Sequence, residues 1–456
     1  MGKMHTSVAY QNLEDFVYGK AVYPVKLKNG MNIGGGTVYP ELNYTLPPMT
    51  LNKDTVKEAV AIYKEMTEGI CVRAKEIHCP GFLIEIETVP SMTENPDWAI
   101  ETCKTVVDTI KEHEAKSGIK GAVKITPNDN REGAIGEHMY SGLHWDTIWT
   151  AFEGCGKAGA EIFAIESCAG KEVHDEGTMF CEIAKCLFSM SILRCRDMNK
   201  IWPKIVDIAK KHGAVGGGDT ACGFANTSMV LAEKNYIPRV FGAVDRVMCA
   251  VGSIVAQECG AVGPDKDCGY EGPYIKAITG TPISMEGKTA ACAHLSSVGN
   301  VAMCLPDVWS NESVQNIKLL GGMAPTVSFE MLEYDCRLMN EFAKNGKANL
   351  LRDMNADSDS ILDPQAYMLR PDVVLAVSKE LVKVDGYYPR MKKAGELTVE
   401  TLKKAAKDGK TKLDDKEMMW LDTMGEQLAA LPSDEGKFID QVAPTCERFD
   451  PKTYDM

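Results

Sequence analysis

The chain has 456 residues, of which 45% are hydrophobic and 25% charged, the composition of a globular protein that can bury a large core. A net charge of −14 argues against a nucleic-acid binder, since phosphate recognition needs clustered Lys and Arg, and disfavours binding to anionic membranes. Met1 to Gln11 contains no apolar signal-peptide core, so a cytoplasmic chain is expected, and its sixteen cysteines are expected to be mostly small buried thiols rather than disulfides.

Residues 12–50, with Tyr, Val, Pro and the Gly34-Gly35-Gly36 run, read as an extended, turn-rich segment. Leu51 to Lys75 is then helical, because Val56, Val60, Tyr63, Met66 and Ile70 form one apolar stripe. Cys79-Pro80-Gly81 ends it, and Phe82 to Glu87 follows as a strand. A helix from Trp98 to Lys116 stops at Gly118, and Ala122 to Thr126 is the next strand. A third helix ends near Gly159, and Glu161 to Glu166 is a third strand. Two helices cover Gly177 to His212 before a short strand from Ala214. Val240 to Ala256 is the most apolar stretch, but Asp245 and Arg246 interrupt it and it reads as a buried helix, too short to span a membrane. Beyond 330 the strand signal fades, and Met331 to Lys347, Pro371 to Val384 and Thr398 to Leu431 read as helices.

Strands alternating with helices imply a parallel sheet. Each strand runs into polar residues at its C-terminal edge: Glu87-Thr88, Thr126 to Asp129, Glu166-Ser167-Cys168 and Asp219 to Cys222. Chemistry spread over several strand ends favours a TIM-type (β/α)8 barrel over an open sheet, which concentrates its site at one switch point. The expected division is an N-terminal extension over 1–50, a barrel over 51–330 and a helical C-terminal region over 331–456.

Glu166, Cys222 and Cys268 are the strongest candidates for chemistry. Glu166 ends an apolar strand, where a carboxylate needs a partner to offset desolvation. Cys222 follows Gly216-Gly217-Gly218-Asp219-Thr220, a strand end that another group can approach closely. Cys268 sits in the loop Gly263-Pro264-Asp265-Lys266-Asp267-Cys268-Gly269-Tyr270. Two thiolates and a carboxylate suit zinc, and three protein ligands leave a fourth position for substrate. No CxxC pair is present, so a structural zinc knuckle is not indicated. His138, His144 and His294 are weaker candidates, each with a bland reading as a surface or core histidine. No phosphate-cradle, dinucleotide-fold or serine-hydrolase motif stands in the right context.

The sequence resembles the zinc-containing, methanol-binding subunit of methanol–corrinoid methyltransferases, found in methanogens and some acetogenic bacteria. The matching stretches are Ile165-Glu166-Ser167 with Gly170-Lys171-Glu172-Val173; Gly218-Asp219-Thr220 with Cys222 and Ala225-Asn226-Thr227; and Gly260 to Pro264 with Lys266 to Glu271. Further matches are Lys276 to Gly280, Met285 to Thr289, Cys292-Ala293-His294 and Trp309 to Ser313. The resemblance implies a β/α barrel, one zinc per chain held by Glu166, Cys222 and Cys268, and a separate corrinoid protein that presents its cobalt at the barrel mouth. It also implies a homodimer within a larger complex. No D-x-H-x-x-G corrinoid-binding stretch is found here, in keeping with that division of labour.

The reaction so implied moves the methyl group of methanol to a cobalt(I) corrinoid. Zinc with two thiolates and a carboxylate sums to −1, so the metal is expected to bind methanol as the neutral alcohol and to stabilise the leaving oxygen. Asp219 and His294 are expected proton donors. At a ceiling of ~1.5 kcal/mol per heavy atom, methanol itself offers only about 3 kcal/mol of binding energy.

Overall fold

A computed structural model describes residues 2–132, 138–293 and 295–456, the side chains of 291–293 excepted. Phe82–Glu87, Gly121–Thr126, Ile162–Ile165 and Val215–Asp219 are strands, close to where the apolar runs place them. The first strand of the sheet lies earlier, at Tyr39–Asn43, inside the segment read as an extension. Counting a hairpin of β1 (Lys20–Lys26) and β2 (Asn32–Gly35), the sheet strands are β3 (Tyr39–Asn43), β4 (Phe82–Glu87), β5 (Gly121–Thr126), β6 (Ile162–Ile165), β7 (Val215–Asp219), β8 (Ser284–Glu286) and β9 (Val308–Glu312). They form one parallel sheet in the order β7-β6-β5-β4-β3-β9-β8.

The curl of this sheet is completed by an irregular eighth stave rather than an eighth ladder strand. Val262 and Gly263 donate their N–H groups to Gly216 and Gly217 of β7, at 2.8 and 2.9 Å. On the other side, Asp265 Oδ1 accepts from the Ser284 N–H of β8 at 2.8 Å. Gly263 has φ +84° and Pro264 lacks an N–H, so the segment cannot run a full ladder. The close approach expected at the glycine run is real: a Cβ on Gly217 would meet Pro264 O, and one on Gly218 would stand 2.7 Å from Asp265 Cβ.

Period-two alternation sorts the strand residues. Phe82, Ile84 and Ile86 of β4 and Val123 and Ile125 of β5 join the main core under the outer helices. The other face points into the barrel. Leu83, Ala122, Ile162 and Val308 make its lowest layer, and Val25, Leu27, Met31 and Ile33 of the hairpin plug it from below. One step up, Glu41, Glu85 and Lys124 are fully buried, with Lys124 Nζ 3.0 Å from Glu41 Oε1 and 3.1 Å from Glu85 Oε2.

The outer helices follow their stripes. Val56–Glu76 buries Val60, Tyr63, Met66 and Ile70, and Pro96–Ser117 stops on Gly118 at φ +74°. Between 171 and 211 there are more pieces than two: Lys171–Met179, Ile183–Phe188, a π-helical turn at Ser189–Arg194, then Cys195–Lys211. The apolar run at 240–256 belongs to Arg239–Ser253, every residue of which after Arg239 is buried. Arg239–Glu258 has the length and hydropathy to cross a membrane, but that window is wholly buried inside the protein. Its cover is the C-terminal region, where Tyr387–Lys407 packs along Arg239–Ser253. The expected single helix at 398–431 is two, Tyr387–Lys407 and Asp415–Ala430, broken after Asp408 by Gly409 at φ +69°.

Candidate metal centre at the barrel mouth

Three adjacent staves deliver the three predicted residues to one place. Glu166 directly follows β6. Cys222 opens a π-helical turn, Cys222–Asn226, just after β7. Cys268 lies in the turn that follows the irregular stave beside β7. Their ligand atoms all lie within 4.8 Å of one another, and Cys268 Sγ stands 3.0 Å from Glu166 Oε1. The Glu166 side chain is 24% exposed while Cys268 is 1% exposed, so the cluster opens outward on the carboxylate side.

Tetrahedral zinc, with Zn–S of about 2.3 Å and Zn–O of about 2.1 Å, sets its donors roughly 3.5 Å apart, and two sulfurs and a carboxylate within 4.8 Å of one another are a donor set of that kind. Burial pushes the Cys268 thiol well above its ordinary value, and Cys222 and Glu166 add to the rise. At Cys222 the hydrogen bond with Cys268 pulls down, but burial and the Glu166 charge carry the thiol up to about 12. Burial raises Glu166 as well, against the pull of Lys266. Metal ligation would displace protons from such groups.

Lys266 is a central residue that sequence reasoning quoted but gave no role. Its buried ammonium contacts Asp267 Oδ1 at 2.6 Å, Glu87 Oε2 at 2.7 Å and Glu166 Oε1 at 3.2 Å. Burial alone would lower its pKa; Asp267, Cys268, Glu87 and Glu166 hold it well above the usual lysine value. More carboxyls surround it. Burial raises Glu286 well above the ordinary range, and raises Glu312, at the mouth end of β9, to about 7. Asn226, Arg246 and Glu271, likewise unassigned from sequence, bond around the two cysteine segments. A charged pair inside the most apolar helix, Asp245-Arg246, was the available signal.

The other candidates fall elsewhere. Asp219 is fully buried, and its carboxylate accepts from Trp202 Nε1 at 2.8 Å, Ser167 Oγ at 3.0 Å and Arg194 Nη2 at 3.2 Å. Those bonds tie the end of β7 to the residue after Glu166 and to the helices outside it. His138 pairs with Asp455 at 3.0 Å, and His144 lies 3.8 Å from Glu94. His294 and the Cys292 side chain lie outside the described residues. The fifteen described cysteines are free thiols, as the composition suggested. Among the described residues two further donor clusters exist. His174, Cys186 and Asp245 are sealed in the core, and Glu41, Glu85 and Asp267 surround the Lys124 ammonium region.

Fold and site together define an α/β-barrel enzyme whose chemistry gathers at the C-terminal ends of its strands. The chain belongs to the family of methanol–cobalamin methyltransferase B subunits, whose description it matches over residues 2–455. It is 37% identical over 445 residues to a methanol–corrinoid protein co-methyltransferase of Methanosarcina barkeri, covering 96% of this chain and 95% of the relative. It also superposes on the crystal structure of the methanol:cobalamin methyltransferase complex of Methanosarcina barkeri, with a TM-score of 0.94, 35% identity and complete coverage of both chains. The protein is a methyltransferase of that family.

Proposed function

We propose that Glu166, Cys222 and Cys268 hold one zinc ion per chain, and that the enzyme moves the methyl group of methanol onto the cobalt(I) corrinoid of a separate protein. The observation that carries this reading is the convergence of those three side chains, within 4.8 Å, at the mouth of a barrel of this family. The reaction balances as methanol, cobalt(I) and a proton giving methyl-cobalt(III) and water. The C–O bond breaks with its electron pair going to oxygen, and cobalt supplies the pair of the new Co–C bond.

A zinc ion held by Glu166, Cys222 and Cys268 would supply Lewis acidity toward the hydroxyl oxygen of methanol. The residues around it set the charge. Lys266 adds one positive charge beside Glu166, but Glu87 and Asp267 draw on the same ammonium, so the mouth stays negative. Negative surroundings disfavour loss of the hydroxyl proton, which keeps the oxygen on course to leave as water. Burial raises Glu312, at the mouth end of β9, to about 7, so this carboxyl titrates near neutral pH. The corrinoid protein would seat over the open, Glu166 side of the cluster, with this subunit a homodimer inside the larger complex.

The test uses zinc-loaded protein, shown by metal analysis to hold one zinc per chain, mixed with the reduced corrinoid protein. Adding methanol should remove the cobalt(I) absorbance and raise that of methyl-cobalt(III). An unchanged spectrum with zinc in place would overturn the reading.

A further inference from the structure

Asn226 closes the π-helical turn that Cys222 opens, and its amide faces two ways. Oδ1 lies 2.6 Å from Arg246 Nη2, while Nδ2 lies 3.3 Å from Cys222 Sγ and 3.2 Å from the Cys268 carbonyl oxygen. The orientation of such an amide is set by its neighbours, and here they leave one answer. A guanidinium has donors and no acceptor, so the amide oxygen must face Arg246 and the NH₂ group must face the sulfur. Cys222 Sγ is therefore cast as an acceptor from this side.

Arg246 is fixed in turn. Its Nη1 pairs with Glu271 Oε2 at 3.2 Å. Glu271 Oε1 accepts the Ala221 N–H at 2.6 Å and Ser253 Oγ at 2.8 Å. Ala221 precedes Cys222, and Glu271 lies three residues beyond Cys268. The circuit thus ties both cysteine segments to each other and to the buried helix Arg239–Ser253. Arg246 and Glu271 are fully buried and Asn226 is 4% exposed. A buried ion pair is a poor source of net stability, because desolvation offsets most of the attraction; fixing one arrangement is its better-attested use.

We propose that Asn226 is a positioning residue for the metal thiolates: it fixes the Cys222 sulfur and the Cys268 backbone relative to each other and donates an N–H to the Cys222 thiolate, with Arg246 and Glu271 holding its amide in that sense. The inference rests on the zinc reading above. Outer groups that orient ligands typically matter by 10- to 100-fold in metal affinity.

Asn226→Ala removes the donor. Asn226→Asp keeps an acceptor for Arg246 and so preserves the fold, but puts an oxygen where the N–H faced the sulfur. Zinc affinity is measured by competition with a chelating dye, and the sulfur-to-metal charge-transfer band is recorded on protein loaded with cobalt(II). An N–H bond stabilises the sulfur lone pairs, so its loss should move the band to lower energy in Asn226→Ala and further in Asn226→Asp. Zinc affinity of Asn226→Ala should fall about 10- to 100-fold. A packing role alone would leave the band in place. Bands at the wild-type position in both variants overturn the proposal, and if Asn226→Ala fails to fold, the Asn226→Asp band decides. Wild-type protein that binds neither metal would instead remove the zinc reading itself.

Discussion

At the bottom of the barrel, Val25, Leu27, Met31 and Ile33 of the hairpin close on Leu83, Ala122, Ile162 and Val308. At the mouth the same staves end in Glu87, Glu166 and Glu312, with Lys266, Asp267 and the two thiols between them. Residues 83, 85 and 87 of β4 share one face, yet pass from hydrocarbon to carboxylate within two steps of the pleat. The lower end needs only complementary shape, since hydrocarbon contact has no direction. The upper end needs each charge matched by a partner. Asp265 Oδ2 is buried above the plug without a hydrogen-bond partner, whereas the plug leaves no such orphan side chain among the described residues. One end is built for stability, and the other tolerates cost for the sake of a reactive site.

This contrast can be broken from either end. The largest effect is expected at the ligands: Cys222→Ser and Cys268→Ser should each lower zinc content and methyl transfer by more than about a hundredfold. Their melting temperatures without zinc should stay near wild type. Full zinc content and turnover in either variant would refute the ligand assignment.

Next in size is Lys266→Met. Three carboxylates lose their shared counter-ion, and removing one member of a buried ionic cluster typically costs about 3–5 kcal/mol. Zinc, arriving beside Glu166, should return part of that loss, so the zinc-induced rise in melting temperature should be larger in the variant than in wild type. An equal rise would show that Lys266 and the metal do not share the same charges. Ile33→Ala, at the plug, should cost about 2–4 kcal/mol in urea unfolding and leave zinc affinity unchanged. A fall in zinc affinity there would mean that the two ends are mechanically coupled.

Much of this architecture is readable from residue patterns, for reasons that are local. Period-two runs at 82–87 and 121–126 and the 3.6-residue stripe of Val56–Glu76 need no knowledge of the fold. Glu166 and Cys222 stood out because a strand end brings them forward. Strand ends, loop composition and donor chemistry single out these two with Cys268, and family resemblance is what lifts that set above the other combinations among sixteen cysteines. What escaped is nonlocal. Tyr39–Asn43 is a strand only because β4 and β9 flank it, and 261–265 fills a stave only because β7 is stripped to glycine where it passes. Lys266 reads as one more loop cation until three carboxylates from three staves surround it. Arg246 looked like an interruption in an apolar helix, and its partner Asn226 lies 20 residues away.

The smallest expected effect concerns Glu132, which lies beyond β5 on the mouth side and is clipped by the C-terminal tail. Tyr454 Oη donates to its carboxyl, the Lys171 N–H also reaches it, and the Gly170 N–H reaches Tyr454 Oη at 2.9 Å. Burial raises this carboxyl to about 7, against the pull of Tyr454 and the Lys171 N–H. An unfolded glutamate titrates near 4.3. Between those values the folded chain binds more protons than the unfolded one, so stability must fall as pH rises from about 4.3 to about 7. Glu132→Gln has no proton to lose and keeps one acceptor oxygen for either Tyr454 Oη or the Lys171 N–H. Relative to wild type, the variant should therefore gain roughly 1–3 kcal/mol between pH 4.5 and pH 8 in urea unfolding. If the two curves stay parallel across that range, Glu132 does not titrate there, and the tail is held to the mouth by geometry alone.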